Sequence, residues 1–211
     1  YLSILYACVV ADLNLKQGNY KNAIPYLEIA VEEERDKYQR ARFSYILAQL
    51  YKESGEKEKA QEFFERVIKM HPNYEMQFNA KIESAEVSNG ENSDDMLKDL
   101  QKIDKDDKNK DYLDRIHYAI ANIYKQQGNE EKAIENYKLA VEKSTRNGYE
   151  KAAALCVLGD MLYDKKEYAE AQVYYEEAEM ISDANYKNYE HIYQRATSLN
   201  ELVGYQNEVA L

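Results

Sequence analysis

Three histidines, two cysteines and one dense run of aspartates are the residues of this chain whose types could do chemistry. A zinc-binding pair on one helix needs ligands at i and i+4, yet His71, His117 and His191 are scattered, none with a second histidine at that spacing. Structural or surface roles are expected for all three. Cys8 and Cys156 fall in distant parts of the chain, so the about 4.4–6.8 Å between Cα atoms that a disulfide requires is not expected, and each reads as a free thiol packed as a small apolar side chain. The run DKDDKNKD, Asp104 to Asp111, offers some oxygen ligands of a calcium loop. It puts Lys108 at the fifth loop position and lacks the central glycine and closing glutamate, so it reads as a solvated charge run. No glycine-rich phosphate loop, nucleophile elbow or zinc-ligand spacing occurs. The expectation is a chain with no catalytic residue, no cofactor and no metal, which is not an enzyme.

Composition narrows the scaffold. The chain has 211 residues, 45% apolar and 32% charged, with two prolines and seven glycines, a profile suited to helices and poor in hairpin turns. A net charge of −11 opposes a nucleic-acid partner, which needs concentrated lysine and arginine, and opposes docking on anionic lipid. It favours solubility and basic or mixed-charge partners. The longest apolar run, Ile4 to Ala11, is far short of the about 20 residues a membrane helix needs. Within it, Leu5-Tyr6-Ala7-Cys8 has the outline of a lipoprotein cleavage site without a charged region before it. The abrupt ends read as those of an excerpt from a longer protein. Tyrosine is abundant, 21 against four phenylalanines and no tryptophan, and most tyrosines are expected in the core with the hydroxyl at its edge.

The elements that must position any functional side chain are clearest between Ala41 and Pro72. Ala48 and Tyr51 sit where a first helix touches a second, Ala60, Phe64 and Val67 answer on the second, Gly55 stands between them, and Pro72 closes the unit. The same offsets recur after 114, with Ala121 and Tyr124, Gly128, then Ala133, Tyr137 and Ala140. They recur after 152, with Gly159 and Leu162, then Ala171, Tyr175 and Ala178, although Lys166 replaces the turn glycine at a cost of about 1 kcal/mol if the backbone is left-handed there. Residues 4–37 form a drifted first unit around Gly18, with Pro25 predicting a late start or mild kink in its second helix and EEERDKYQR prolonging that helix. Residues 75–110 form a degenerate third unit with a stretched turn, SNGENSDD. One further amphipathic helix spans 186–203, before Gly204 and a tail.

These alanine, aromatic, glycine and proline offsets resemble the tetratricopeptide repeat, a helix–turn–helix unit of about 34 residues. The resemblance implies an all-α, right-handed superhelical α-solenoid of about five helix pairs (4–37, 41–74, 75–110, 114–147 and 152–185) plus a C-terminal helix, as a single array over 1–211. It also implies a concave groove lined by the first helix of each pair. Carried onto this sequence, the groove positions are Arg42, Tyr45, Gln49 and Lys52 in the second repeat and Arg115, Tyr118, Asn122 and Lys125 in the fourth, matched type for type. The first, third and fifth repeats supply Cys8 and Asp12, Asn79, Glu83 and Glu86, and Cys156 and Asp160. Alternating charge along such a groove suits an extended peptide, while the same residues could equally pair with one another across adjacent helices. Asp160 disfavours the family's clamp for C-terminal carboxylates.

A narrower resemblance joins TSLNELVGYQNEVAL and HPNYEMQFNAKIESA to outer-membrane tetratricopeptide lipoproteins of gliding motility and type IX secretion, the SprE or PorW type. It implies a periplasm-facing scaffold, anchored at the outer membrane by a lipid on a cysteine outside this sequence; a cytoplasmic setting is the alternative. The reading of function is a non-enzymatic scaffold that binds a protein or peptide partner in a bacterial cell-envelope assembly. Its alternatives are a structural spacer without a ligand and the sensor region of a larger signalling protein.

Overall fold

The computed structural model describes residues 2–88, 93–145 and 148–209. Among the described residues there are eleven α-helices and no strand: α1 Leu2–Lys16, α2 Tyr20–Glu33, α3 Lys37–Glu53, α4 Lys57–Lys69, α5 Tyr74–Val87, α6 Ser93–Asp104, α7 Leu113–Gln126, α8 Glu130–Lys143, α9 Tyr149–Asp164, α10 Tyr168–Ile181 and α11 Tyr189–Val209. A 3-10 turn, Asp107–Tyr112, lies between α6 and α7. The chain divides into two compact units, Tyr1–Lys98 and Asp99–Leu211. Each is a stack of helix hairpins.

Four hairpins close with the same turn. In each, the residue just past the first helix takes a left-handed φ: +73° at Gly18, +82° at Gly55, +73° at Gly128 and +64° at Lys166. The amide after it then reaches back to close the helix end, Glu56 N–H to Tyr51 O at 2.9 Å, Asn129 N–H to Tyr124 O at 2.9 Å, and Glu167 N–H to Leu162 O at 2.9 Å. This double closure satisfies carbonyls that would otherwise be orphaned. Lys166 adopts it without glycine's freedom, as the local repeat pattern leads one to expect.

The first unit stacks α1 to α5 in chain order. Ala11, Ala23, Ala48, Ala60 and Ala80 are buried, and their small side chains let the backbones approach. Phe64 and Val67 fill the space between them with no exposed surface, and burial of the Phe64 ring alone contributes about 1.5–3 kcal/mol. In the second unit α7 to α11 follow one another, and Ala121, Ala133 and Ala171 with Tyr137 and Tyr175 repeat the arrangement. The buried tyrosines each find an acceptor. Tyr51 donates to Glu28, Tyr137 to Asn122 Oδ1 at 2.5 Å, and Tyr175 to Asp160.

Several local expectations change. Helix α2 begins at Tyr20, ahead of Pro25, so the proline sits inside the helix; only one amide is lost, and Pro25 is exposed while Ala23, Leu27, Ala30 and Val31 bury another face of the helix. The run EEERDKYQR does not prolong α2, because Asp36 accepts the Gln39 N–H at 2.8 Å and caps a new helix at Lys37. The last helix spans Tyr189–Val209 in place of 186–203, passing through Gly204, which weakens a helix without ending it. On that helix Ile192, Ala196 and Leu199 are buried, whereas Leu202 is exposed. Within the charge run, Asn109 is buried and donates from Nδ2 to the Ile103 carbonyl at 2.8 Å. Of the stretched turn SNGENSDD, residues 89–92 lie outside the described residues.

Candidate functional site

Residues 42, 45, 49 and 52 recur at helical spacing and so share one face of α3; 115, 118, 122 and 125 share the corresponding face of α7. On α3, Arg42 is exposed and donates to Gln39 Oε1 at 3.3 Å. Tyr45 is half-buried, its ring edge against Phe64 with centroids 5.7 Å apart. Gln49 is half-buried with no hydrogen-bond partner among the described residues. Lys52 is engaged: its Nζ lies 2.5 Å from both Glu83 Oε2 and Glu86 Oε2 on α5. Burial opposes its charge, but Glu86 and Glu83 outweigh that and hold its pKa well above the usual lysine range. At this position the pairing across adjacent helices is what forms.

On α7 the pattern recurs with different partners. Tyr118 meets Tyr137 edge-on at 5.6 Å, as Tyr45 meets Phe64. Where unit 1 has Phe64, unit 2 has Tyr137, and its hydroxyl occupies Asn122 Oδ1. That bond orients the amide and leaves Nδ2 for another acceptor. Arg115 is half-buried and lines a surface recess with Asp111, Asp114 and Glu150. Lys125 is exposed and favours the thiolate of Cys156 electrostatically.

A second cluster was not legible as a unit in the sequence. Cys156 and Asp160, one turn apart on α9, meet His191 from α11, and their ligand atoms lie within 4.8 Å of one another. His191 Nε2 is 2.7 Å from Asp160 Oδ1, and the same carboxylate oxygen accepts from the Tyr175 hydroxyl. Cys156 is 3% exposed; burial and then Asp160 push its thiol up to about 12, with Lys125 opposing. The i, i+4 spacing of Cys156 and Asp160 was the one available signal, and a search anchored on histidine pairs misses it. His117 does have partners, Asn136 Oδ1 at 3.3 Å and Asp104 Oδ1 at 3.4 Å, and bridges α8 and α6. Both cysteines are free. No helix among the described residues is long and apolar enough to cross a membrane.

Family models described as Tetratricopeptide repeat match residues 14–81 and 112–182, one in each unit. Among solved structures the chain is similar to MamA (residues 41 to the end) from Desulfovibrio magneticus RS-1, at TM-score 0.60 and 20% identity, covering 85% of this chain and 94% of that one. It is also similar to a putative kinesin light chain with nearly identical TPR-like repeats from Podospora anserina, at TM-score 0.57 and 19% identity, covering 86% and 96%. At such identities the likeness concerns the fold. No curated protein matches the sequence.

Proposed function

We propose, because the chain belongs to the tetratricopeptide repeat family, that it is a non-enzymatic scaffold for extended segments of other proteins, the α3 face of the first unit and the α7 face of the second each being a binding face in its own right. The protein-binding role follows from the family. The assignment to these faces is supported by one observation: at the same register, each carries a half-buried amide with donor capacity unspent, Gln49 and Asn122, on the same helix face as an edge-on aromatic pair and an arginine. Such amides suit the carbonyls of an extended backbone, the exposed Arg42 suits an acidic side chain on it, and the recess of Arg115 with Asp111, Asp114 and Glu150 suits a side chain of mixed or basic character. Lys52, neutralised by Glu83 and Glu86, serves to join α3 to α5.

The test is selection of binding segments from a displayed peptide library, followed by titration of a selected peptide against the parent and the Arg42→Glu, Arg115→Glu double variant. Affinity is expected to fall about tenfold or more, as for the loss of charge-assisted bonds worth about 1.5–3 kcal/mol each, with helicity and unfolding unchanged. Equal affinity would remove both faces from the binding site and favour the spacer reading.

A bacterial cell-envelope setting, at the outer membrane and among gliding-motility or type IX secretion machinery, rests on the resemblance of TSLNELVGYQNEVAL and HPNYEMQFNAKIESA alone. Fractionation of cells carrying the native protein, with mass spectrometry of its N-terminal peptide, tests it. A lipidated peptide in the outer-membrane fraction agrees; an unmodified protein in the cytoplasmic fraction overturns it.

A further inference from the structure

We infer that Cys156, Asp160 and His191 form a binding site for one borderline-soft divalent cation, zinc(II) foremost, which ties α9 to α11. The three side chains supply one sulfur, one oxygen and one nitrogen, a donor set that suits zinc and neither calcium nor magnesium. Their ligand atoms already converge within 4.8 Å, from two helices that are not joined to each other by a turn. The buried thiol forms the floor, while Asp160 and His191, with side chains 39% and 44% exposed, leave a path for the ion and a position for water as fourth ligand.

The surroundings already orient the ligands. Tyr175 donates to Asp160, and the Tyr175 ring meets the His191 imidazole edge-on with centroids 6.0 Å apart. Partners of this kind around a ligand change metal affinity by about 10–100-fold when removed. One adjustment is required. Asp160 Oδ1 and His191 Nε2 are 2.7 Å apart, whereas two ligands about 2.0–2.1 Å from a tetrahedral ion sit roughly 3.3 Å from each other, so their direct contact opens as the ion enters. Both side chains reach solvent and can make that movement. The sulfur–metal bond forms as Cys156 gives its proton to solvent; no electron is transferred.

The experiment uses the chain reduced and stripped with chelator, then titrated with zinc against a competing chromophoric chelator, and separately with cobalt(II) as a spectroscopic reporter. One ion per chain is expected, together with a thiolate-to-cobalt charge-transfer band and the intense visible bands of a tetrahedral site. Zinc affinity is expected to fall in His191→Ala, an exposed position whose loss leaves the fold intact, by more than the about 10–100-fold that loss of an outer partner costs, and the charge-transfer band is expected to vanish in Cys156→Ser. His117→Ala, outside the cluster, is the control and should match the parent. Parent-like zinc affinity in His191→Ala would overturn the site, as would a cobalt spectrum without a thiolate band in the parent or displacement of zinc by equimolar calcium.

Discussion

Gly159→Ala offers the sharpest check on how α9 packs against α10. Gly159 holds on α9 the register that Ala121 holds on α7, yet a Cβ built there would lie 2.9, 3.0 and 3.1 Å from Cε2, Cζ and Cδ2 of Tyr175. That ring has little room to retreat, since Tyr175 is fully buried and its hydroxyl is bonded to Asp160. Replacing an interior helical glycine by alanine ordinarily gains about 1 kcal/mol through backbone entropy. Against it stand an overpacking cost of about 1–3 kcal/mol and, if the ring tilts, the loss of a bond to a carboxylate worth about 1.5–3 kcal/mol. The costs win, and net destabilisation of about 1–2 kcal/mol is expected. Gly204 is the internal control: it also lies within a helix, but no atom stands within 4 Å of its added Cβ, so Gly204→Ala should stabilise by about 0.5–1 kcal/mol. Urea unfolding followed by far-UV circular dichroism and tyrosine fluorescence reads both signs, with about 2–4 °C in Tm per kcal/mol as a second readout. Equal stabilisation by the two substitutions would refute the close contact between Gly159 and Tyr175.

Two further outcomes follow from the same features. Lys166→Gly should stabilise by about 0.5–1 kcal/mol, because relief of a left-handed φ of +64° outweighs the added freedom of the unfolded chain; an unchanged urea midpoint would contradict it. Cys156, Tyr51, Tyr175 and Lys52 all hold their protons more tightly folded than unfolded, with pKa values raised from ordinary values of 9.0, 10.0, 10.0 and 10.5. For a raised folded pKa the stabilisation is complete below the unfolded value and is lost as pH climbs past it. The urea midpoint should therefore hold between about pH 7 and 9 and fall above about pH 9–10, with the tyrosinate absorbance of the buried rings appearing only as the chain unfolds. A midpoint that rises over that upper range would be inconsistent with these burials.

The sequence by itself determined the hairpins and their register. Alanine, aromatic and glycine offsets are local, and each repeats the steric demand that two helices meet across small side chains and turn through a left-handed residue, so even Lys166 could be read as one. Face-level placement was equally legible, since Arg42 to Lys52 and Arg115 to Lys125 share a face through helical spacing alone. Only the tertiary structure decided which of those side chains have partners. Lys52 meets Glu83 and Glu86, Asn122 is oriented by Tyr137, and Cys156 and Asp160 converge with His191 thirty-one residues from Asp160. Helix ends belong to the same class, for Asp36 capping Lys37 overrode a run of helix-forming charges. The physical reason is that periodicity states which way a side chain faces along its own helix, whereas the distance to a group on the next helix is set by packing between them.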